Sequence, residues 1–161
     1  MVFAFCLQVN GQAFGQGKIT IKADNVYITE NKNVIKFVGN VLVLHGAYSM
    51  NADLMEVFYY EGQKKIKEIK SYDNVKFFGE DFNAAGDEGI YRPGKEFITI
   101  QKNVILNSGA SVASGDKFTY NIKTKTTNLI SNSKADNDDI DSRVIIIIDE
   151  EDIGNFEENK N

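Results

Sequence analysis

Two short landmarks recur along the chain at nearly fixed spacing, and this repeat constrains the fold more tightly than any composition value. An acidic residue follows a small one at Asp24, Asp53, Asp87 and Asp116, which succeed Ala23, Ala52, Gly86 and Gly115 at separations of 29, 34 and 29 residues. An Asn–Val pair stands at Asn40–Val41, Asn74–Val75 and Asn103–Val104, and each Val precedes the next Asp by 12 residues. Equal offsets of this kind mark a repeated supersecondary unit that cannot bury its apolar face alone and must stack on its neighbours.

Each unit reads as β structure. Three and five positions before the Asp stand Ile21 and Ile19, Met50 and Tyr48, Ala84 and Phe82, Ala113 and Ser111. Two and four positions after it stand Val26 and Ile28, Met55 and Val57, Gly89 and Tyr91, Phe118 and Tyr120. Strand side chains alternate between faces with period two, so these residues share one largely apolar face. Val41 and Val43, Val75 and Phe77, and Val104 and Leu106 continue it, whereas Leu42, Leu44, Lys76, Phe78, Ile105 and Asn107 give the opposite face a mixed character. Turn chemistry at Asn31 to Asn33, Glu61 to Gln63, Arg92 to Gly94 and Lys123 to Lys125 suggests a few short antiparallel strands per unit. Helical stripes are scarce. The predicted class is all-β, built from repeated antiparallel units of 29–34 residues.

At 161 residues and 42% apolar content the chain can bury one core, which excludes wholesale disorder. The expected organisation is an N-terminal tail or signal-peptide remnant over 1–17, a β domain over 18–135, and an acidic segment over 136–161 with one possible strand at 144–148. Residues 136–161 carry 10 acidic and 2 basic residues (net −8), leaving 13 acidic and 16 basic (net +3) before them. The folded part is therefore mildly basic and the end acidic. Val2 to Leu7 and Val144 to Ile148, the longest apolar runs, fall short of the ~18 residues a spanning helix needs. Met1 to Leu7 reads either as the remainder of a secretory apolar region or as a plain tail. Val144 to Ile148, followed by the acidic Asp149 to Asp152, reads as an edge strand with charged gatekeepers or as a covered core strand.

Reactive constellations are missing from the sequence. Cys6 is the single cysteine, so neither an intrachain disulfide nor a Cys/His zinc site can form, and no metal or cofactor is expected. The repeated Asp residues read first as strand-end groups that hydrogen-bond their own backbone and set a bend. A carboxylate ladder for calcium or acid/base work lacks a tuned partner, because the chain has one His and no second carboxylate in register with every Asp. His45 lies in phase with Val41 and Val43 and reads as a satisfied or partly exposed strand residue. With no nucleophile elbow or phosphate loop, no catalytic residue is assigned and the chain reads as a non-enzyme. Lys64, Lys65, Lys67 and Lys70 form a basic cluster, read as a solvated face or as a contact for phosphate or an anionic lipid head. No aromatic interleaving there suits nucleic acid.

The pattern Gly39-Asn40-Val41-x-Val43-x-x-Gly46, then Met50-x-Ala52-Asp53, with its echoes at Asn74-Val75 to Gly86-Asp87 and Asn103-Val104 to Gly115-Asp116, resembles the OstA-like family over about residues 18–131. Asp73 and Lys102 depart from it where Gly39 opens the first Asn–Val segment. The resemblance implies a twisted β-jellyroll, slightly opened along one side, in the periplasm. Its apolar interior would receive the lipid A chains of lipopolysaccharide. Copies would join head to tail, linking an inner-membrane anchored β-jellyroll partner to an outer-membrane barrel assembly. On that reading Ile21, Ile28, Phe37, Val41, Val43, Met50, Val75, Phe77, Leu106, Phe118 and Tyr120 line the lipid path, the alternative at each position being dry core. A membrane-anchored sister of the same fold, a structural β-solenoid without cargo, and a carbohydrate-active enzyme on a repetitive scaffold remain as other readings.

Overall fold

The structure is a computed structural model that describes residues 17–29, 33–131 and 143–148. The predicted tail up to residue 16 and most of the acidic C-terminal segment lie outside the described residues. Ten strands follow in chain order: β1 (Thr20–Lys22), β2 (Asn25–Ile28), β3 (Val34–His45), β4 (Tyr48–Tyr59), β5 (Ile66–Phe78), β6 (Asn83–Arg92), β7 (Phe97–Ser108), β8 (Ser111–Asn121), β9 (Thr126–Ile130) and β10 (Ile145–Ile147). A 3-10 turn at Pro93–Lys95 joins β6 to β7. The strands form one antiparallel sheet in which β3 to β8 pair successively. At one end β3 pairs with both β1 and β2, and at the other β8 pairs with both β9 and β10.

The repeat landmarks lie where this sheet bends. Gly39 and Asn40 in β3, Asp73 and Asn74 in β5, and Lys102 and Asn103 in β7 all have positive φ, from 45° to 83°. Each left-handed pair adds one residue relative to the neighbouring strand, as the register slips at Val38/Val41, Tyr72/Val75 and Gln101/Val104 record. A bulge of this type kinks a strand without ending its ladder. Because the bulges stack side by side, the sheet creases along one line into two facing leaves. Leaf A holds the residues paired with β1 and β10, such as Val43 and Ala113; leaf B holds those paired with β2 and β9, such as Phe37 and Phe118.

Two expectations are corrected here. The strands are not short: β3 to β8 run 10–13 residues, because each passes through its landmark instead of stopping there. Nor do the Asp side chains act on their own backbone. Asn40 donates to Asp24 at 2.8 Å, Asn74 to Asp53 at 2.6 Å and Asn103 to Asp87 at 2.6 Å, while Ser131 donates to Asp116 at 3.0 Å. The two landmark motifs are therefore partners of one another, clamping adjacent strands across the crease. The departures at Asp73 and Lys102 keep the geometry of Gly39, with φ of 61° and 66°. At Gly39 itself a Cβ would lie 2.6 Å from the Asp24 carboxylate, so glycine is needed there for space as well as for φ.

Val144 to Ile148 resolves as an edge strand. Ile145, Ile146 and Ile147 pair with β8 while 49–66% exposed, so they do not form a covered core strand.

Candidate functional site

Cross-strand partners share a face, so the pairing registers trace the wall between the leaves residue by residue. In leaf A one row runs Ile21–Val43–Met50–Phe77–Ala84–Leu106–Ala113–Ile146. In leaf B one row runs Val26–Phe37–Met55–Ser71–Gly89–Ile100–Phe118–Leu129, and a second runs Ile28–Ile35–Val57–Ile69–Tyr91–Ile98–Tyr120–Thr127. Val41, Val75 and Val104 complete the wall beside the crease, paired with Ala52, Gly86 and Gly115.

All eleven residues expected to line an interior lie on these inward positions. Val41, Val43, Met50, Val75, Phe77, Phe118 and Tyr120 are buried in the core; Ile21, Phe37 and Leu106 pack against it half-buried. Ile28 holds an inward register position but is 70% exposed, because β2 is the last strand of its leaf. Val26 beside it is 50% exposed, and Ile146 at the opposite end is 59% exposed. The apolar wall therefore runs the length of the sheet and emerges uncovered at both ends. Ile69, Ile98 and Ile100 are fully or almost fully buried in the same wall. No landmark flags them, although the alternation of Ile98, Thr99, Ile100 and Gln101 carries the period-two signal.

The leaves meet closely. Ser71 Oγ of leaf B lies 3.3 Å from Met50 Sδ of leaf A, and a Cβ at Gly89 would stand 3.6 Å from that sulfur. Phe77 stacks on Tyr48 with ring centroids 5.8 Å apart, and Phe82 meets Tyr120 edge-on at 4.8 Å. The apolar cavity bounded by Val43, His45, Met50, Phe77, Tyr91 and Ile98 measures about 10 Å³, room for one water molecule at most.

The few polar groups inside sit at the margin opposite the crease. His45 Nδ1 and Tyr91 Oη are 2.5 Å apart, joining leaf A to leaf B. Burial lowers the His45 pKa below its usual value, against smaller opposing effects from a Gly17 backbone hydrogen bond and the Glu96 charge. Burial likewise raises Tyr91 and Tyr48 above the ordinary phenol range. All three groups are therefore neutral near pH 7. Among the described residues no group of His, Cys, Asp and Glu could hold a metal ion. Of the basic cluster, Lys70 contacts Glu68 at 3.6 Å and lies over the Phe58 ring at 4.9 Å, while Lys64, Lys65 and Lys67 are exposed.

A single creased antiparallel sheet with an apolar inner wall and free strands at both ends defines an open β-jellyroll with no catalytic constellation. The model of the family described as "LptA/(LptD N-terminal domain) LPS transport protein" matches residues 15–126, and the chain belongs to that family. It is a transport family, in agreement with the reading of the chain as a non-enzyme. The chain is 29% identical over 111 residues to the lipopolysaccharide export system protein LptA of Escherichia coli K12. The match to the protein of the same description from Shigella flexneri has the same identity and length. These matches cover 65% of this chain and 60% of each relative, so the chain spans less than two thirds of their length. Among solved structures it is similar to LptH of Pseudomonas aeruginosa, described as the LptA-homologous periplasmic component of the conserved lipopolysaccharide transport device. That likeness has a TM-score of 0.70 at 14% identity and covers 86% of this chain and 99% of the other. It shows the fold.

Proposed function

We propose that this chain is a periplasmic lipopolysaccharide carrier whose inner wall shelters lipid A acyl chains. The observation that carries the reading is the continuity of that wall: three rows of inward positions cross the sheet and stay uncovered at both ends, at Val26 and Ile28 and at Ile146. Hydrocarbon in water is costly, about 10 kcal/mol for a 12-carbon chain at roughly 0.8 kcal/mol per methylene. A protein that moves such chains through an aqueous space must keep them covered. The ten inward residues in or against the core, Ile21, Phe37, Val41, Val43, Met50, Val75, Phe77, Leu106, Phe118 and Tyr120, are the proposed lipid-lining set, with Ile28 as its continuation at the open end.

The free edges suggest how carriers would be linked. Unpaired edge strands are normally an aggregation hazard, so two left open at opposite ends of one sheet suit head-to-tail pairing of copies. Such pairing would align the inner wall of one copy with that of the next. It would bridge an inner-membrane anchored β-jellyroll partner and an outer-membrane barrel assembly.

A photo-crosslinking residue placed at Met50 or Phe77 tests the carrier reading in cells that make the lipid. Lipopolysaccharide adducts are expected from these sites and not from the outward-facing Lys76. Absence of adducts from every inward position would end the reading. The close contact of the two leaves favours a second one, a structural β-solenoid that packs only on itself. Mass spectrometry of lipid accompanying the purified protein separates the two.

A further inference from the structure

A wall that receives acyl chains must first become accessible, and the contacts between the leaves differ sharply from one margin to the other. At the crease the leaves are joined by the backbone of β3 to β8, with the Asp–Asn clamps at 2.6–2.8 Å across it. At the opposite margin two rows of turns face each other, and among the described residues no strand pairing joins them. Side chains alone cross this seam. Lys125 Nζ reaches Glu80 Oε2 at 3.1 Å with the two side chains 67% and 47% exposed. The hydroxyls of Tyr48 and Tyr120 stand 3.5 Å apart, at the limit of a hydrogen bond. His45 meets Tyr91, and Phe82 meets Tyr120. Exposed ion pairs and stretched hydrogen bonds are the weakest class of contact in a folded protein.

The ends of the sheet are also uncovered, but they suit a different task. An amphiphile threading lengthwise would have to draw its polar head between Met50, Ser71 and Gly89, where the leaves touch. Burying that head without partners is expensive. A lateral opening lets the chains lie along the wall while the head stays in water.

Resting on the carrier reading, we propose that the leaves part along this seam about the crease, and that Glu80–Lys125, His45–Tyr91 and the contacts of Tyr120 with Tyr48 and Phe82 form a latch that admits acyl amphiphiles sideways. The seam is the side of the fold with no main-chain connection. The latch groups exchange partners readily, because each retains water or the incoming carbonyl and hydroxyl groups of the ligand as an alternative.

The test staples the latch reversibly. In a Cys6→Ser background, Glu80→Cys and Lys125→Cys are joined by 1,2-ethanediyl bismethanethiosulfonate, which reductant removes; both positions are exposed, so folding is retained. The probe is lipopolysaccharide carrying a BODIPY dye, self-quenched in aggregates and brightened on uptake as single molecules. Stapled protein should take up the probe about tenfold or more slowly, with the rate restored by reductant, as for a blocked gating motion. Equal rates with and without the staple would overturn the seam while leaving the carrier reading in place. No uptake by the unstapled protein would overturn the carrier reading, and the seam with it.

Discussion

Replacing Asn74 separates the two things the crease motif does. Asn74 has φ of 51° and donates to Asp53 at 2.6 Å, so it serves both as a left-handed backbone residue and as half of a clamp. Asn74→Ala loses both roles. An alanine in the left-handed region costs roughly 1–2 kcal/mol, part of which Asn already bears. An exposed hydrogen bond to a carboxylate contributes about 0.5–1 kcal/mol. The sum is about 2 kcal/mol, a fall of roughly 4–8 °C in Tm for a chain of this size. Asn74→Gly loses the clamp but suits the backbone, and its greater unfolded-state freedom brings its cost to about 1 kcal/mol. Asp53→Ala removes the hydrogen bond alone, and the cycle of Asp53→Ala with Asn74→Gly should show a coupling of about 0.5–1 kcal/mol. Urea unfolding followed by far-UV circular dichroism measures all four proteins. If Asn74→Gly proves as damaging as Asn74→Ala, the backbone argument is wrong. Zero coupling with Asp53 would mean that the clamp merely accompanies the bend.

Phe77→Ala should cost about 3–5 kcal/mol in the same assay, because the ring is 1% exposed and in contact with Tyr48, Phe82 and Tyr120. Gly39→Ala should lower Tm by several degrees, about 2 kcal/mol or more, since it meets both a φ of +83° and the Asp24 carboxylate. Thermal unfolding against pH should show stability falling as pH drops below about 6.5: burial depresses the folded His45 pKa, so the unfolded chain binds the proton first. Stability from this group is complete above the unfolded His pKa and is lost on acidification towards the folded value. His45→Gln should flatten that limb of the profile, and an unchanged slope would remove His45 from the account.

Much of the inner wall was legible in the sequence because side-chain alternation is a local property. The offsets from Asp and Asn placed Met50, Phe77, Phe118 and Tyr120 on one face without any knowledge of pairing. Ile69, Ile98 and Ile100 were harder to find, since they lie in the halves of β5 and β7 that carry no landmark, although Ile98 and Ile100 alternate with polar neighbours. The purpose of the landmarks was not legible. Asp and Asn signal a bend to any reader of turn chemistry, but Asp53 finds Asn74, 21 residues away, only once the strands are registered.

By itself, then, the sequence determined the all-β class, the repeat and the side on which each strand is apolar, because these follow from spacing along one chain. Tertiary structure decided where the sheet creases, that His45 joins Tyr91 and Glu80 joins Lys125, and that Ile28 stands uncovered while Phe37 does not. Those outcomes depend on which strand is last in the sheet and on which turns face each other after it folds. Both are non-local relations between residues 45 or more positions apart in the case of His45–Tyr91 and Glu80–Lys125, and no local pattern encodes them.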